Sequence, residues 1–354
     1  MRLKSINHVE PGDALGKAVY DDKCQLLLAR GVALTDGYID RLKKSNIHCV
    51  YVNDELSEGL EFDNVIPDEV KVQSVNVVRN VFKDITGRKG VSLSNEGVEA
   101  IKDIIDEMMG LIYSNKDTLY VMTELMGTDM YTYNHSAEVA ILAMLVAKSL
   151  GLNNQYIQKV GIGAMLHDIG KMKIPNEVLN KVDTLSDDEF KLIKEHASLG
   201  YDLLKESLTI SPISRQIVLL HHEKLDGKGY PMMLDSEDIP IHVRIVTICD
   251  IFNALVSNRA YREKMSVDTA LETIRAEAIY QLDREIYYHL IKVVNIYPVG
   301  TIVELSTGDR GIVIKENKEA QTRPIVQVIR EQKKAEIINL LNDLTIFITK
   351  TVES

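Results

Sequence analysis

The stretch "SRQIVLLHHEKLDGKGYP", residues 214–231, decides how this chain is read. An apolar run at helical spacing ends in two adjacent histidines, His221 and His222. An acidic residue follows, and then a turn that carries Asp226, Gly227, Gly229, Tyr230 and Pro231. Two readings compete. Imidazolium is favourable at a helix C-terminus and Asp-Gly is an ordinary turn pair, so this is either a plain helix end or half of an active site.

Other histidines and acids bear on the choice. His135 opens "HSAEVAILAML", His167 and Asp168 follow the apolar "VGIGAML", and His196 lies in "IKEHASLGYDLL". Asp250 interrupts the apolar "RIVTICDIFNALV". A carboxylate inside an apolar helix is costly unless it is paired or binds a metal. Imidazole with carboxylate suits Zn, Mn, Fe or Ni. His135, His167, Asp168, His196, His221, His222 and Asp250 are too many donors for one closed tetrahedral site. They fit two metals that share a bridging carboxylate, with Asp168 the candidate bridge, and such a pair suits in-line phosphoryl displacement. Taken singly, each histidine also reads as a hydrogen-bonded core residue, and periodicity alone leaves both readings open.

The surrounding pattern predicts a mainly α chain. Residues 1–66 alternate in short runs around "DGYIDRLKKS", a short helix with Asp36 as its expected cap, and end in an acidic linker. From about Pro67 to Asn295, apolar residues recur at three- and four-residue spacing. Gly151 is a helix C′ residue. "SDDEFKLIKEHASLGYDLLKES" reads as one helix with a Ser cap, and "IHVRIVTICDIFNALVS" as a central helix. After Pro298, "GTIVELSTGDRGIVIKEN" predicts a hairpin, with further strands in "RPIVQVIRE" and "LTIFITKTV". The expected division is 1–66, 67–127, 128–296 and 297–354.

"HDIGK" (167–171), "HASLG" (196–200), "HHEKLDGKGYP" (221–231) and "DIFNALVSNRAYR" (250–262) together resemble the HD-GYP group of the HD metal-dependent phosphohydrolases. The HD dipeptide alone is a weak signal, whereas its spacing from HHExxDGxGYP is specific. The likeness runs from about residue 128 to 295. "PGDALGKAVYDD" and "YPVGTIVELSTGDRGIVIKEN" are similar to common N- and C-terminal parts of such proteins. The resemblance implies an HD-type helical bundle with a small strand-rich N-terminal unit and a small β appendage at the C-terminus.

It also implies hydrolysis of cyclic di-GMP to linear pGpG, through a hydroxide between two divalent metals, Fe or Mn before Zn or Ni. The seven donors above map onto the family's ligands. Lys171 is placed toward the scissile phosphate, where it stabilises negative charge. Gly227, Gly229, Tyr230 and Pro231 are placed at the pocket lip, with Tyr230 stacking on a base or bonding a phosphate. Arg259 and Arg262, one turn apart, are candidates for phosphate or guanine contacts. Glu223 is expected behind a ligand histidine. Some members of the group carry Glu four residues before the first histidine, helping to hold a third metal. Here that position is Tyr131, so two metals are expected, and a further cut of pGpG to GMP is left open. The rival readings are a receptor that binds cyclic di-GMP without turning it over and an HD hydrolase of another nucleotide. A signalling partner such as a diguanylate cyclase and a homodimer are candidate associations.

The bulk properties agree. A net charge of −11 over 354 residues repels polyanions, so an extended nucleic-acid surface is not expected. No apolar run reaches the length of a membrane span and the start lacks a secretory pattern, so a cytoplasmic protein is expected. Cys24, Cys49 and Cys249 form no CxxC and read as packing residues.

Overall fold

The computed structural model describes all residues except 88–92, 116–117, 124, 128–129, 180, 182, 259–263, 332 and 353–354. The N-terminal part contains β1 (Arg2–Ser5), β2 (Ala14–Leu15), β3 (Val19–Tyr20), β4 (Leu26–Leu28), α1 (Asp36–Lys44) and β5 (Cys49–Asn53). β5 lies between β1 and β2, antiparallel to both, and β3 pairs with β4. Leu15, Leu34, Leu42 and Val52 form their own small core. The cap of α1 is Thr35, whose hydroxyl accepts from Tyr38 N at 3.3 Å. Asp36 is instead the first helical residue, where its charge meets the positive end of the helix dipole.

The helical part runs through α2 (Asp68–Gly87), α3 (Asn95–Ser114), α4 (Tyr131–Ser149), α5 (Asn154–Leu166), a 3₁₀ turn (Ile169–Lys173), α6 (Asn176–Leu179), α7 (Asp187–Lys194), α8 (His196–Leu204), α9 (Pro212–Leu220), a second 3₁₀ turn (Ser236–Asp238), α10 (Ile241–Val256), α11 (Val267–Glu277) and α12 (Arg284–Val293). The expected central helix is α10, but α4 is at least as central. It is buried without a break from His135 to Ala147 and packs on α2, α5, α10 and α12. It stops before Gly151, which takes a φ of +78°.

The single helix expected over residues 186–207 is two. Ser186 and Glu189 form a reciprocal capping box at the start of α7, and the chain turns at Glu195. His196 then opens α8 inside the bundle.

The C-terminal sheet has β6 (Ile302–Leu305), β7 (Arg310–Lys315), β8 (Ile325–Arg330), β9 (Lys333–Asn339) and β10 (Ile348–Thr351), in the order β10-β6-β7-β8-β9 and antiparallel throughout. The hairpin and the two further strands stand where the alternation placed them. β9 was not anticipated. It is a largely exposed edge strand opening with two lysines, so no apolar alternation marks it. One hydrophobic core continues from Val65 through α2, α3 and the bundle to Val303, Val313 and Val326 of this sheet. No helix among the described residues is long and apolar enough to cross a membrane.

Candidate metal centre

Helix ends bring the predicted donors together. His135 sits in the second turn of α4, and His167 and Asp168 occupy the junction of α5 with the 3₁₀ turn. His196 opens α8, His221 and His222 follow α9, and Asp250 lies within the buried length of α10. Three overlapping groups have donor atoms within 4.8 Å of one another: His135, His167 and Asp250; His167, Asp168 and His221; and His196, His221 and His222. All seven donors except His222 are buried, and the His222 side chain is 27% exposed.

The backbone fixes the direction of most rings. His167 Nδ1 donates to Ala164 O at 2.7 Å, His196 Nδ1 to Ile193 O at 2.7 Å, and His221 Nδ1 to Val218 O at 3.0 Å. Each bond to the preceding turn leaves Nε2, with its lone pair, facing the centre. His196 Nε2 and His221 Nε2 are accordingly 3.2 Å apart. Two lone pairs at that distance, without a proton between them, call for a cation. His135 differs: its Nδ1 contacts Asn253 Oδ1 at 2.6 Å. Thr247 Oγ1 bonds His221 O at 2.9 Å and so ties α10 to the end of α9.

Asp168 stands between the groups. Its Oδ2 is 3.4 Å from His167 Nε2 and 3.8 Å from His135 Nε2, while its Oδ1 is 3.5 Å from His196 Nε2. Asp250 Oδ1 is 3.0 Å from His135 Nε2, and its Oδ2 is 3.9 Å from His222 Nδ1. Burial opposes the charge of both acids. Lys171 and then the histidines outweigh it for Asp168, and His135, His167 and His222 outweigh it for Asp250, so both stay well below the usual carboxylate range. Burial is the main cause that pushes His196, His221 and His222 below the ordinary imidazole value. Burial also opposes charge on His167, but Asp168 and Asp250 overcome it and its value is raised.

The residues fit divalent metal. Buried His167 Nε2 and Asp168 Oδ1 make no hydrogen bond among the described residues, and both point among the other donors. Such atoms are costly to bury unless a ligand completes them. The depressed imidazoles are already in the neutral form that a metal needs.

Lys171 does not stand apart as a free cation facing the site. Its Nζ lies 2.6 Å from Asp168 Oδ2. The 226–231 turn closes over the histidines. Gly227 takes φ +71°, and a Cβ at Gly229 would fall 2.4 Å from Glu223 Cα and 2.6 Å from His222 O. Tyr230 stacks on His222, ring centroids 4.6 Å apart, and Lys194 Nζ is 5.1 Å from its ring centre. Pro231 follows, half-buried. Glu223 does not back a ligand histidine; its carboxylate accepts from Met232 N, Met233 N and Leu234 N at 2.7–3.1 Å. Arg259 and Arg262 lie outside the described residues. The Tyr131 ring is stacked on that of His135, centroids 5.5 Å apart.

A model of the HD domain family matches residues 108–286. The chain belongs to the HD-GYP group of the HD domain family. A second model, of a KOW domain associated with the HD domain, matches residues 302–354 and so covers the C-terminal sheet of this HD-GYP protein. The cyclic di-GMP phosphodiesterase PA4108 of Pseudomonas aeruginosa is 33% identical over 226 residues, which is 64% of this chain and 54% of that protein. The 3'3'-cGAMP-specific phosphodiesterase 3 of Vibrio cholerae is 34% identical over 168 residues, 48% of this chain and 36% of its own. The chain thus spans about half or less of the length of these relatives. The solved structure of Bd1817, an HDG"Y"P protein from Bdellovibrio bacteriovorus, superposes with a TM-score of 0.52 at 17% identity, over 81% of this chain and 95% of the other, and shows a shared fold.

Proposed function

We propose that this protein is a metal-dependent phosphodiesterase that hydrolyses cyclic di-GMP to linear pGpG. The observation that carries the reading is the convergence of all seven donors at one buried centre beside the Tyr230 turn. The name of the Pseudomonas relative supports the substrate. His135, His167 and Asp250 would hold one divalent ion and His196, His221 and His222 the other, with Asp168 between them. Fe or Mn suits this donor set, and Zn or Ni also binds such ligands. A two-ion centre accords with Tyr131, which stands at the sequence position where some members of the group carry a third-metal Glu. When bound, the metals supply Lewis acidity: they make water nucleophilic near neutral pH and offset charge on the phosphoryl oxygens.

The chain's own groups do the rest. Asp168 and Asp250 hold negative charge among the rings, the backbone bonds aim the imidazoles inward, and burial favours the neutral form of His196, His221 and His222. Lys171, at the edge of the centre, brings a positive charge to the side where a phosphate would enter. Tyr230 and its turn, with Arg259 and Arg262, would bind the dinucleotide. We also propose the division into residues 1–66, 67–127, 128–296 and 297–354, a cytoplasmic location, and association as a homodimer or with a signalling partner such as a diguanylate cyclase.

A second reading has support in the relative named for 3'3'-cGAMP: the same centre would cut a different cyclic dinucleotide. Anaerobic purification, metal analysis and product identification from one preparation decide between them. About two metals per chain and pGpG from cyclic di-GMP are expected. Turnover of 3'3'-cGAMP alone selects the second reading, and saturable binding of cyclic di-GMP without hydrolysis under Fe(II) or Mn(II) makes the protein a receptor.

A further inference from the structure

His135 takes its orientation from a buried side-chain relay, whereas His167, His196 and His221 take theirs from backbone carbonyls of the preceding turn. Each link has only one sensible polarity. The Glu138 carboxylate can only accept, so Asn253 must turn its amide nitrogen toward Glu138 Oε2, at 3.0 Å. Asn253 Oδ1 then faces His135 Nδ1 at 2.6 Å and requires a proton there. Ser257 Oγ also donates to Asn253 Oδ1, at 3.3 Å, which fits the same amide orientation. The result is a His135 Nε2 left to face Asp250 and the metal groups.

The other oxygen of Glu138 pairs with Lys71 Nζ, and both side chains are 2% exposed. Lys71 also donates to the carbonyl and the hydroxyl of Thr123. A lone ammonium or carboxylate in this core is strongly disfavoured, so Lys71 and Glu138 each make the burial of the other tolerable. Lys71 lies outside residues 108–286, the extent of the HD family match.

We infer that Asn253 and Glu138 are positioning residues for the His135 ligand, and that Lys71, on the helical segment preceding the HD unit, acts only as the counter-charge that lets Glu138 stand ionised in this core. The inference rests on the metal-binding reading of the site and not on the identity of the substrate. A relay of this kind orients a ligand ring and sets its basicity, and disrupting one typically lowers metal affinity 10–100-fold.

Two charge-free variants of the full chain separate this role from packing. Lys71→Met/Glu138→Gln keeps an acceptor for Asn253, and Lys71→Met/Glu138→Leu removes it. The readouts are Mn(II) affinity and stoichiometry of metal-free protein, measured without substrate. The Gln pair should bind within about threefold of wild type, while the Leu pair should bind its weaker ion 10–100-fold less tightly. A Leu pair that binds like wild type, or a Gln pair as weak as the Leu pair, overturns the inference. Should the Leu pair not fold, long-range ¹H–¹⁵N histidine spectra of metal-free wild type decide, with His135 assigned through His135→Gln. A protonated Nδ1 supports the relay and an unprotonated one overturns it. Because no substrate enters, a failure of the phosphodiesterase reading leaves these results unchanged.

Discussion

Lys171 Nζ lies 2.6 Å from Asp168 Oδ2, an ion pair one turn apart between the Asp of the HD dipeptide and the 3₁₀ turn that follows it. The carboxylate is 1% exposed and the ammonium 22%. Lys171 is therefore the cation that balances Asp168 among the described residues, and on the proposed reading it would serve a bound phosphate from the edge of the centre. Lys171→Met should keep its metals, because the lysine competes for Asp168 and does not hold an ion itself. Its turnover should fall by roughly 10²–10³-fold, the range for losing one preorganised charge-stabilising donor. Metal analysis and steady-state kinetics on the same preparation check this. Metal loss in parallel with activity would make Lys171 a structural residue only.

Asp168 stands between the two histidine groups proposed to hold the ions, with Oδ1 toward His196 and Oδ2 toward His167. Asp168→Ala should therefore weaken both ion sites together, where loss of His222 should affect mainly one. Expected is less than one tightly bound metal per chain and no measurable phosphodiesterase activity under metal loading. Retention of both ions and of turnover would falsify the bridging role.

Glu223 clamps the turn that carries Tyr230. Its buried carboxylate accepts three backbone N–H groups, from Met232, Met233 and Leu234. Glu223→Ala strands those donors and should cost about 1–3 kcal/mol of stability. It should also loosen the lip, raising KM more than it lowers kcat. Glu223→Gln keeps one acceptor and should fall between the two. Urea unfolding and a KM–kcat comparison test this, and an unchanged KM in the Ala variant would remove the turn from substrate binding.

What was legible in the sequence follows from chemistry. Donor side chains inside apolar helices are costly, so His135, His167, Asp168, His196, His221, His222 and Asp250 stood out from their neighbours, and the structure brings all seven together. The relay did not stand out. Asn253 is 115 residues from Glu138, which is 67 from Lys71, and each looks like an ordinary polar residue until the helices pack. The break between α7 and α8 was hidden because apolar spacing runs through Glu195 without a Gly or Pro to mark it. Glu223 was misplaced for a related reason: proximity to a histidine in the chain suggested a partner that the turn at Gly229 replaced with backbone amides.

His242 gives a pH test away from the metal donors. It is 4% exposed on α10, its Nε2 donates to Gln216 Oε1 at 3.0 Å, and its Nδ1 accepts from Tyr156 Oη at 2.8 Å. The ring thus joins α5, α9 and α10 in its neutral form, and burial lowers its pKa to about 4. The unfolded chain takes up this proton near pH 6.5, well before the folded one does. Stability tied to the neutral ring is complete above pH 6.5 and is lost as pH falls toward 4. Between pH 7 and 5 the loss should reach about 2 kcal/mol at most, at 1.36 kcal/mol per pH unit. His242→Gln should be less stable than wild type at pH 7 and should show a flatter decline to pH 5, read by urea unfolding of metal-free protein. Parallel declines in the two proteins would show that His242 does not carry this pH dependence.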